Sequence, residues 1–485
     1  MKIKQETNNI NISKKVGAVF VCIVSLYLIL AVLVYIIAGD DFISRNSRGN
    51  IVAPEPNNGV SELYDGQVLE YTFSAPIHHM ETLNIQWGNY RRECAGAIFV
   101  ELINIKDDSL ILSQTYDAAV LQDGEIASIL FPENIDLYNL PLKLSVRSDS
   151  AMGMGGTILI NTDIPDEKNT LTLNGEPVEG TLCISVIGTD DIWLGKNYFL
   201  IVGAFGILIS TAFFISWLRF RRGKKTLFAN TAYALFKYKF LVKQFVSRDF
   251  KTKYKRSVLG VLWSFVNPLL TMLVQYMVFS TIFKSDISNF PVYLLVGVVS
   301  FNFFSEACGM ALSSIIGNSH LITKVYMPKY IYPFTRVLSS LINLGISFIP
   351  LIGVCLFTGV VFTWKALLSL YFFACLILFS LGLGMLLASL MVFFRDTQFL
   401  WGVLSMIWMY MTPVFYPESI LPDEFKFVLT INPLGYFIKG TRSCIIDGIS
   451  PEPIFYIQCM LMALGMLIIG SLIFKKSQDK FILYL

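Results

Sequence analysis

Aromatic side chains are the groups in this chain that are best suited to hold a ligand. The 485 residues include 22 tyrosines, 7 tryptophans and only 3 histidines. An aromatic ring can lie under the apolar face of a sugar ring, provided that polar groups nearby bind the hydroxyls. Between residues 45 and 192 the sequence offers four such platforms, Trp87, Tyr90, Tyr116 and Tyr138. Each of them is more often a core or turn residue than a binding residue, so both interpretations stay open.

Groups that could catalyse a reaction or hold a metal ion are few. His78 and His79 are adjacent, so they do not converge on one ion as ligands on a single helical face would. Asp40-Asp41 could serve an outward-facing transferase, but an acidic pair after an apolar segment is also typical of a solvated boundary. The motif GKKT at residues 223–226 lacks the first glycine of a P-loop and a preceding strand. We therefore expect no catalytic residue, no metal site and no nucleotide-binding site in this chain.

Two cysteines, Cys94 and Cys183, lie between residues 45 and 192. They could form a disulfide if this segment lies outside the cell. Two separate buried thiols fit the sequence equally well.

The composition predicts a membrane protein. Hydrophobic residues make up 54% of the chain and charged residues 15%, against about 45–50% and about 25% in soluble domains. A membrane-spanning helix needs about 20 apolar residues. Eight segments fit, and only Glu306 interrupts them with a charge: residues 16–38, 198–218, 257–283, 290–316, 337–364, 366–394, 397–417 and 454–474. The expected fold is an α-helical polytopic membrane protein with eight spans.

The charges divide the chain into two regions. Residues 39–197 hold 9 Lys or Arg against 24 Asp or Glu, whereas the rest of the chain holds 29 against 11. Basic residues are enriched in cytoplasmic loops. With a cytoplasmic N-terminus, the cytoplasmic segments hold 24 basic residues and the short outer loops hold 5. We expect a plasma-membrane protein with both termini in the cytoplasm, residues 39–197 outside, and no nucleic-acid partner.

The acidic segment reads as an extracytoplasmic all-β domain. Short runs rich in β-branched residues alternate with turn signals such as Asp65-Gly66, Asp123-Gly124 and Asn174-Gly175. This pattern predicts a jelly-roll-like sandwich over residues 45–192, and its order weakly resembles that of sugar-binding jelly rolls. Because the domain is acidic, a bound glycan is expected to be neutral or cationic.

These features give a domain plan. The plan consists of a cytoplasmic N-terminus (1–15), a retained anchor too long for a signal peptide (16–38), the β domain (45–192), a second helix (198–218), a cytoplasmic amphipathic region (227–256), six spans (257–474) and a cytoplasmic tail (475–485).

Residues 241–270, LVKQFVSRDFKTKYKRSVLGVLWSFVNPLL, carry a family resemblance. This block resembles the opening of permease subunits of type-2 ATP-binding-cassette exporters, in the branch that exports teichoic acids, O-antigens and capsules. Residues 321–333 (LITKVYMPKYIYP), Phe394-Arg395-Asp396, and residues 413–417 with Asn432-Pro433-Leu434 agree with it in order and spacing. The resemblance covers residues 228–485, and the two N-terminal spans with their β domain depart from it.

The resemblance implies two cytoplasmic contacts with a motor ATPase. In the first, apolar residues at helix-like spacing, surrounded by basic residues, suggest an interfacial helix. A positive-inside anchor is the alternative. The candidate residues are Phe245, Arg248, Asp249, Lys253 and Tyr254. In the second, a short helix within residues 317–333 would dock into the ATPase, unless this segment is a plain turn. Its coupling candidates are His320, Leu321, Lys324, Tyr326, Met327 and Pro328.

An aromatic stripe is the candidate translocation path. Phe265, Met272, Tyr276, Phe279 and Phe283 share one helical face. Helix packing explains such a stripe more often, by about two to one, but aromatic residues line the conduit in the polysaccharide exporters that the chain resembles. Further path candidates are Trp401, Trp408, Tyr410 and Phe415, and the outer gate candidates are residues 413–417 and 432–442. Glu306 either bonds to a neighbouring helix or borders the path.

The resemblance therefore implies a permease that exports a lipid-linked polysaccharide or polyol-phosphate polymer. It implies a homodimer with two copies of a separate P-loop ATPase, which would carry the ATP and Mg while this chain holds no cofactor. The β domain would receive or recognise glycan. Alternative interpretations are a membrane-anchored glycan receptor, an outward-facing glycosyltransferase, and a lipid or drug exporter of the same superfamily.

Overall fold

The computed structural model describes residues 2–49, 55–120, 122–131, 136–163, 169–222, 226–255, 257–283, 289–324, 327–420, 422, 424 and 426–485. The chain divides into two compact units. One unit is Ile43–Lys196, and the other is Met1–Phe42 together with Asn197–Leu485.

The second unit is helical. Its N-terminal part contains α1 (Lys2–Ala38), the short α2 (Asp40–Ile43) at the boundary, α4 (Tyr198–Arg221) and α5 (Leu227–Lys237), and α3 (Trp193–Lys196) closes the other unit. Then follow α6 (Lys239–Tyr254), α7 (Leu262–Phe283), α8 (Phe290–Leu312), α9 (Ser319–Lys324), α10 (Ile331–Phe357), α11 (Ser369–Phe393), α12 (Thr397–Met411), α13 (Lys426–Ile431), α14 (Pro433–Arg442), α15 (Pro453–Ser477) and α16 (Phe481–Tyr484).

Among the described residues, seven helices are long and apolar enough to cross a membrane, and eight were expected. The expected span at residues 397–417 is the exception, because α12 has only 15 residues and ends at Met411. Such a helix is about 22 Å long, against about 30 Å for the hydrocarbon core. It ends because Thr412 is extended, as the residue before a proline usually is, and Pro413 lacks an amide hydrogen.

Helices α8 and α11 form the centre of the helical unit, where most of their residues are buried. A single apolar core, which includes Phe304, Phe372 and Phe437, joins them to α7, α10, α12, α14 and α15. Helices α11 and α15 touch at two glycines: a Cβ atom on Gly470 would lie 1.9 Å from the carbonyl oxygen of Gly382. Small residues at such contacts let helix backbones approach closely in membranes.

We expect Gly470→Ala to destabilise the helical unit, because the added methyl group would overlap the Gly382 backbone. Overpacking of this kind costs about 1–3 kcal/mol or more. Gly465→Ala is the matched control in the same helix, since a Cβ atom there meets nothing within 4 Å. Thermal unfolding of the purified chain in detergent measures both. Equal midpoints for the two variants would contradict the close contact.

The N-terminal helices α1 and α4 pack against each other, and Asp41 of α2 ties this region to the rest of the helical unit. The Tyr198 hydroxyl donates to the Ala31 carbonyl oxygen at 2.9 Å. Asp41 forms an ion pair with Lys365 at 2.5 Å, and its carboxylate accepts the Ser450 N–H at 2.8 Å. Asp41 therefore has a structural role in the bundle. This role differs from the transferase chemistry considered for Asp40-Asp41.

The unit Ile43–Lys196 is an all-β sandwich with short turns. Its strands are β1 (Ser44–Gly49), β2 (Asn58–Gly59), β3 (Val68–Ser74), β4 (His79–Gly88), β5 (Ala97–Asn104), β6 (Ser109–Asp117), β7 (Ile126–Leu130), β8 (Pro141–Ser148), β9 (Thr157–Asn161), β10 (Thr170–Leu173), β11 (Glu176–Pro177), β12 (Thr181–Leu182) and β13 (Ile184–Asp191).

The strands form two antiparallel sheets. One sheet has the order β1-β13-β4-β9-β12, with β2 also paired to β9 and β7 also paired to β4; the other has the order β11-β10-β3-β8-β5-β6. Alternate residues of both sheets share one core, for example Leu69, Tyr71 and Phe73 of β3. Asn174 and Gly175, both with positive φ, make the tight turn between β10 and β11. The predicted all-β insertion is confirmed, and the jelly-roll connection of its strands stays a prediction.

Candidate functional site

Helix α6, the predicted interfacial helix, packs along α10. Phe245 is buried and its ring lies 5.8 Å from that of Tyr332. The other four interfacial candidates, Arg248, Asp249, Lys253 and Tyr254, all bond to groups within the helical unit. One face of α6 is therefore fixed to the bundle.

Asp249 is the centre of a buried polar contact between α6 and α10. Its side chain is only 4% exposed and forms ion pairs with Arg336 of α10 at 3.0 Å and with its neighbour Arg248 at 3.1 Å. The Ser339 hydroxyl donates to its second oxygen at 3.4 Å. Arg248 also donates to the amide oxygen of Asn318, in the short turn just before α9, at 3.3 Å. These bonds join α6 to α10 and to the turn that precedes α9.

A second layer of polar groups lies one turn further along α6. Lys253 forms an ion pair with Glu306 of α8 at 2.8 Å, and Asn343 of α10 donates to the same carboxylate at 2.5 Å. The Tyr254 hydroxyl donates to the Asn343 amide oxygen at 2.9 Å and bonds to the Ser264 hydroxyl of α7. Of the two roles left open for Glu306, the structure shows the bond to neighbouring helices.

Both layers are anchored on α6, and we call the two together the polar seam. Its members are Arg248, Asp249, Lys253, Tyr254, Ser264, Glu306, Asn318, Arg336, Ser339 and Asn343. The seam connects α6 to the spans α7, α8 and α10. A displacement of α6 would therefore pull on three spans at once.

The segment that carries the ATPase-coupling candidates forms the short helix α9 and the turn after it. His320 and Lys324 are exposed, and Leu321 and Pro328 are partly buried. Met327 is buried in a small core with Phe245 and Tyr332, so its proposed contact with a partner is wrong. Apolar neighbours on α6 and α10 cover it. Tyr326 lies outside the described residues.

The path candidates fall into two groups. Met272, Trp401 and Phe415 belong to the protomer's own core, although Trp401 also lines an apolar cavity of about 450 Å³ with Trp408. A role of these three side chains in the path stays a prediction. Tyr276 and Tyr410 are exposed on α7 and α12. The partly buried members are Phe265, Phe279 and Trp408, with Phe279 stacked on Phe415 at 5.6 Å. Phe283 ends α7, and its side chain lies outside the described part.

The two candidate gate segments, residues 413–417 and 432–442, are joined by a buried arginine. The Arg442 guanidinium donates to the carbonyl oxygens of Pro413 at 2.6 Å, Val414 at 2.9 Å and Tyr293 at 3.0 Å. It also lies 3.3 Å from the centroid of the Tyr293 ring. The three carbonyl groups belong to α8 and to the turn after α12, so Arg442 joins α14 to both.

Asn432 fixes the other end of α14. Its amide oxygen accepts the Trp408 indole N–H at 2.8 Å and the Leu434 N–H at 3.2 Å, and its amide nitrogen donates to the Thr412 hydroxyl at 2.8 Å. Asn432 is thus both the N-cap of α14 and a bridge to α12. The bonds from Arg442 to Pro413 and Val414 bring the two gate candidates named from the sequence together.

Two of the four aromatic platforms in the β domain remain available. Trp87 is fully buried in the core, so its assignment as a platform is wrong, since β4 turns it inward. Tyr116 is partly buried, 6.5 Å from the Trp87 ring. Tyr90 and Tyr138 are 47% and 54% exposed. Tyr138 stacks on His78 at 4.3 Å.

Cys94 and Cys183 are buried thiols and are not joined by a disulfide. The Cys94 Sγ donates to the Gly155 carbonyl oxygen at 3.5 Å, whereas Cys183 lies between β12 and β13, where its N–H donates to Leu159. Burial raises the pKa of Cys94, although Arg92 opposes this, and burial raises the pKa of Cys183 to about 11.

We expect both thiols to resist alkylation in the folded chain at pH 8. Only the thiolate reacts, and a pKa of about 11 leaves roughly a thousandth of Cys183 ionised at that pH. Mass spectrometry of iodoacetamide-treated protein, folded and unfolded, measures this. Because the folded thiol holds its proton more tightly than the unfolded one, its contribution to stability is lost as the pH rises from about 9 to about 11. A peptide that links the two cysteines would contradict the assignment.

Several residues of the site were missed from the sequence. Arg336 was placed just outside a span, and Asn318, Ser339 and Asn343 were given no role. One signal could have found Arg336 and Asn343, which lie seven residues apart and share a helical face of an otherwise apolar span. Ser339 lies on the same face.

Comparison with known proteins covers the second half of the chain. Residues 241–446 match the family described as ABC-2 type transporter. The chain is 30% identical over 249 residues to the O-antigen export system permease protein RfbA of Myxococcus xanthus, which covers 51% of this chain and 96% of that protein. A Klebsiella pneumoniae protein of the same name is 28% identical over 243 residues, covering 48% and 91%. The polysialic acid transport protein KpsM of Escherichia coli is 24% identical over 250 residues, covering 50% and 95%.

Proposed function

Since this chain belongs to the ABC-2 type transporters and is the permease of a polysaccharide export system, we propose that it moves a lipid-linked glycan polymer outward across the plasma membrane. The polymer is a polysaccharide or a polyol phosphate, of the O-antigen, capsule or teichoic-acid kind. A separate P-loop ATPase drives the step and carries the ATP and Mg. The observation that carries the proposal is the match to nearly the whole length of an O-antigen export permease.

The polar seam supports a route for coupling. The ATPase would contact α6 and the exposed groups of α9, His320 and Lys324. Movement there would pass through Asp249 and Glu306 into α7, α8 and α10. The Asp249–Arg336 pair is buried, so its geometry is costly to break.

The exposed faces of α7 and α12 support a homodimer with the path between two protomers. Tyr276 and Tyr410 are exposed there together with large apolar side chains such as Met277 and Phe399. A second protomer would cover part of these faces. Each of the two protomers would bind its own ATPase. Sugar rings would slide over the two tyrosines without being held tightly.

The β domain would receive or recognise the emerging glycan on the outer side, with both termini in the cytoplasm. Its exposed rings Tyr90 and Tyr138 support a sugar-binding role. Its net acidity favours a neutral or cationic glycan.

Purification of the tagged chain from its native membranes tests the proposal. In mild detergent we expect a P-loop ATPase to accompany the chain at equal stoichiometry. If no ATPase is present, the motor-driven exporter is wrong, and the glycan receptor or transferase interpretation replaces it.

We expect deletion of residues 45–192 to spare binding of the ATPase and to abolish retention of glycan. The ends of the deletion are close, because Ser44 and Asp191 are paired across β1 and β13, so a short linker can join them. Copurification measures the first property, and binding of the purified glycan to full-length and deleted chains measures the second. Loss of the ATPase would contradict the independence of the two units.

A further inference from the structure

A large cavity lies between the N-terminal helices and the permease bundle. Its volume is about 950 Å³, near the upper end of the about 300–1,000 Å³ that is usual for ligand sites. One wall comes from α1, α4 and α5, which lie outside the residues 241–446 that match the family, and the other from α10, α11 and α15. Most of the lining is apolar, including Ile23, Phe213, Phe334, Leu381 and Leu467.

In the part of the chain that the structure describes, the charged groups that line the cavity are two lysines. Lys239 begins α6 and Lys475 lies near the end of α15, while no acidic residue is among the described residues of the lining. Leu467 and Lys475 are eight residues apart on α15, which corresponds to about 12 Å. This depth is close to half of the about 30 Å hydrocarbon core. The lining therefore extends about the depth of one leaflet along α15 and includes two exposed lysines.

We propose that this cavity binds an anionic phospholipid of the leaflet on the α6 side, with its acyl chains between the two helix groups and its phosphate at Lys239 and Lys475. Basic pockets between membrane helices are suited to anionic headgroups. Contact of water with the apolar walls is unfavourable, whereas acyl chains can fill the cavity and cover these walls. The assignment of this leaflet as cytoplasmic rests on the proposed orientation of the chain. The lipid site itself does not depend on the proposed transport activity.

Photocrosslinking tests the site. The full-length chain is reconstituted into vesicles with phosphatidylglycerol that carries a photoreactive acyl chain, or with phosphatidylcholine of the same chain. Mass spectrometry then locates the labelled peptides. We expect phosphatidylglycerol to label peptides that contain Phe213 or Leu467 in preference to phosphatidylcholine. Lys239→Gln and Lys475→Gln should each lower this preference about fivefold.

Lys251→Gln and Lys476→Gln are matched controls, because these exposed lysines lie on the same two helices outside the cavity. Ser471→Phe, which narrows the cavity, should reduce labelling by both lipids. The proposal is overturned if the two lipids label equally, if the controls act like the test variants, or if labels fall elsewhere. It is also overturned if soluble glycerol phosphate displaces the lipid, since the site would then bind a free phosphate.

Discussion

Asp249→Asn is expected to destabilise the helical unit and to uncouple ATP hydrolysis from export. The carboxylate is 4% exposed and pairs with Arg336 and Arg248. Its removal leaves two guanidinium groups without their counter-charge. Breaking a buried ion pair costs about 3–5 kcal/mol, and the partial exposure of Arg248 places the expected loss near the lower value. Thermal unfolding in detergent measures stability, and ATPase stimulation by lipid-linked glycan measures coupling.

Two further variants separate the ion pair from a general loss of charge. Asp479→Asn removes an exposed carboxylate near the C-terminus and should leave both measurements nearly unchanged. The double variant Asp249→Asn with Arg336→Gln should be more stable than additivity of the single variants allows, since it leaves fewer unpaired buried charges. Additive losses would show that Asp249 and Arg336 do not act as a pair.

Arg442→Lys is expected to loosen the candidate gate segment and to abolish export while the ATPase stays bound. The guanidinium donates to the carbonyl oxygens of Tyr293, Pro413 and Val414 from three nitrogens. An ammonium group donates from one point and does not stack flat on the Tyr293 ring. Buried carbonyl groups left without donors cost about 1–3 kcal/mol each, so we expect a loss of about 2 kcal/mol.

Lys439→Gln is the control for Arg442, since it removes a cation from the same helix α14. Lys439 and Glu418 form an exposed ion pair at 2.7 Å, and such pairs contribute less than about 1 kcal/mol. Export assays on cells and copurification of the ATPase distinguish the two variants. Full export by Arg442→Lys would contradict the role of this residue in the gate segment.

Patterns of hydrophobicity predicted seven of the eight expected spans and the all-β domain. Apolar length predicted the long helices, and alternation with turn residues such as Asn174-Gly175 predicted the β domain. The span at residues 397–417 was overestimated, because apolar composition does not show that Pro413 stops α12 after 15 residues. The length and hydropathy of a segment indicate whether it partitions into the membrane. They do not show where a proline ends the helix within that segment.

The site was predicted in its local parts and in Glu306, but not in the pairing of its residues. The basic block of α6 gave Arg248, Asp249 and Lys253, but their partners Arg336 and Glu306 come from helices distant in sequence. Aromatic residues could not be divided into platforms and core from the sequence, as Trp87 and Tyr138 show. Both are aromatic residues of the β domain, and only the packing of the two sheets determines which ring is buried.

The location of the lipid-linked glycan after depletion of this chain tests the central claim most directly. Cells would be depleted of the chain, and lipid-linked glycan would be extracted from intact cells after labelling only of the sugars exposed at the surface. An export permease predicts that polymerised glycan accumulates unlabelled inside the cell while surface glycan falls, and that restoring the chain reverses both changes. Unchanged surface glycan, or its loss without internal accumulation, would contradict the export function.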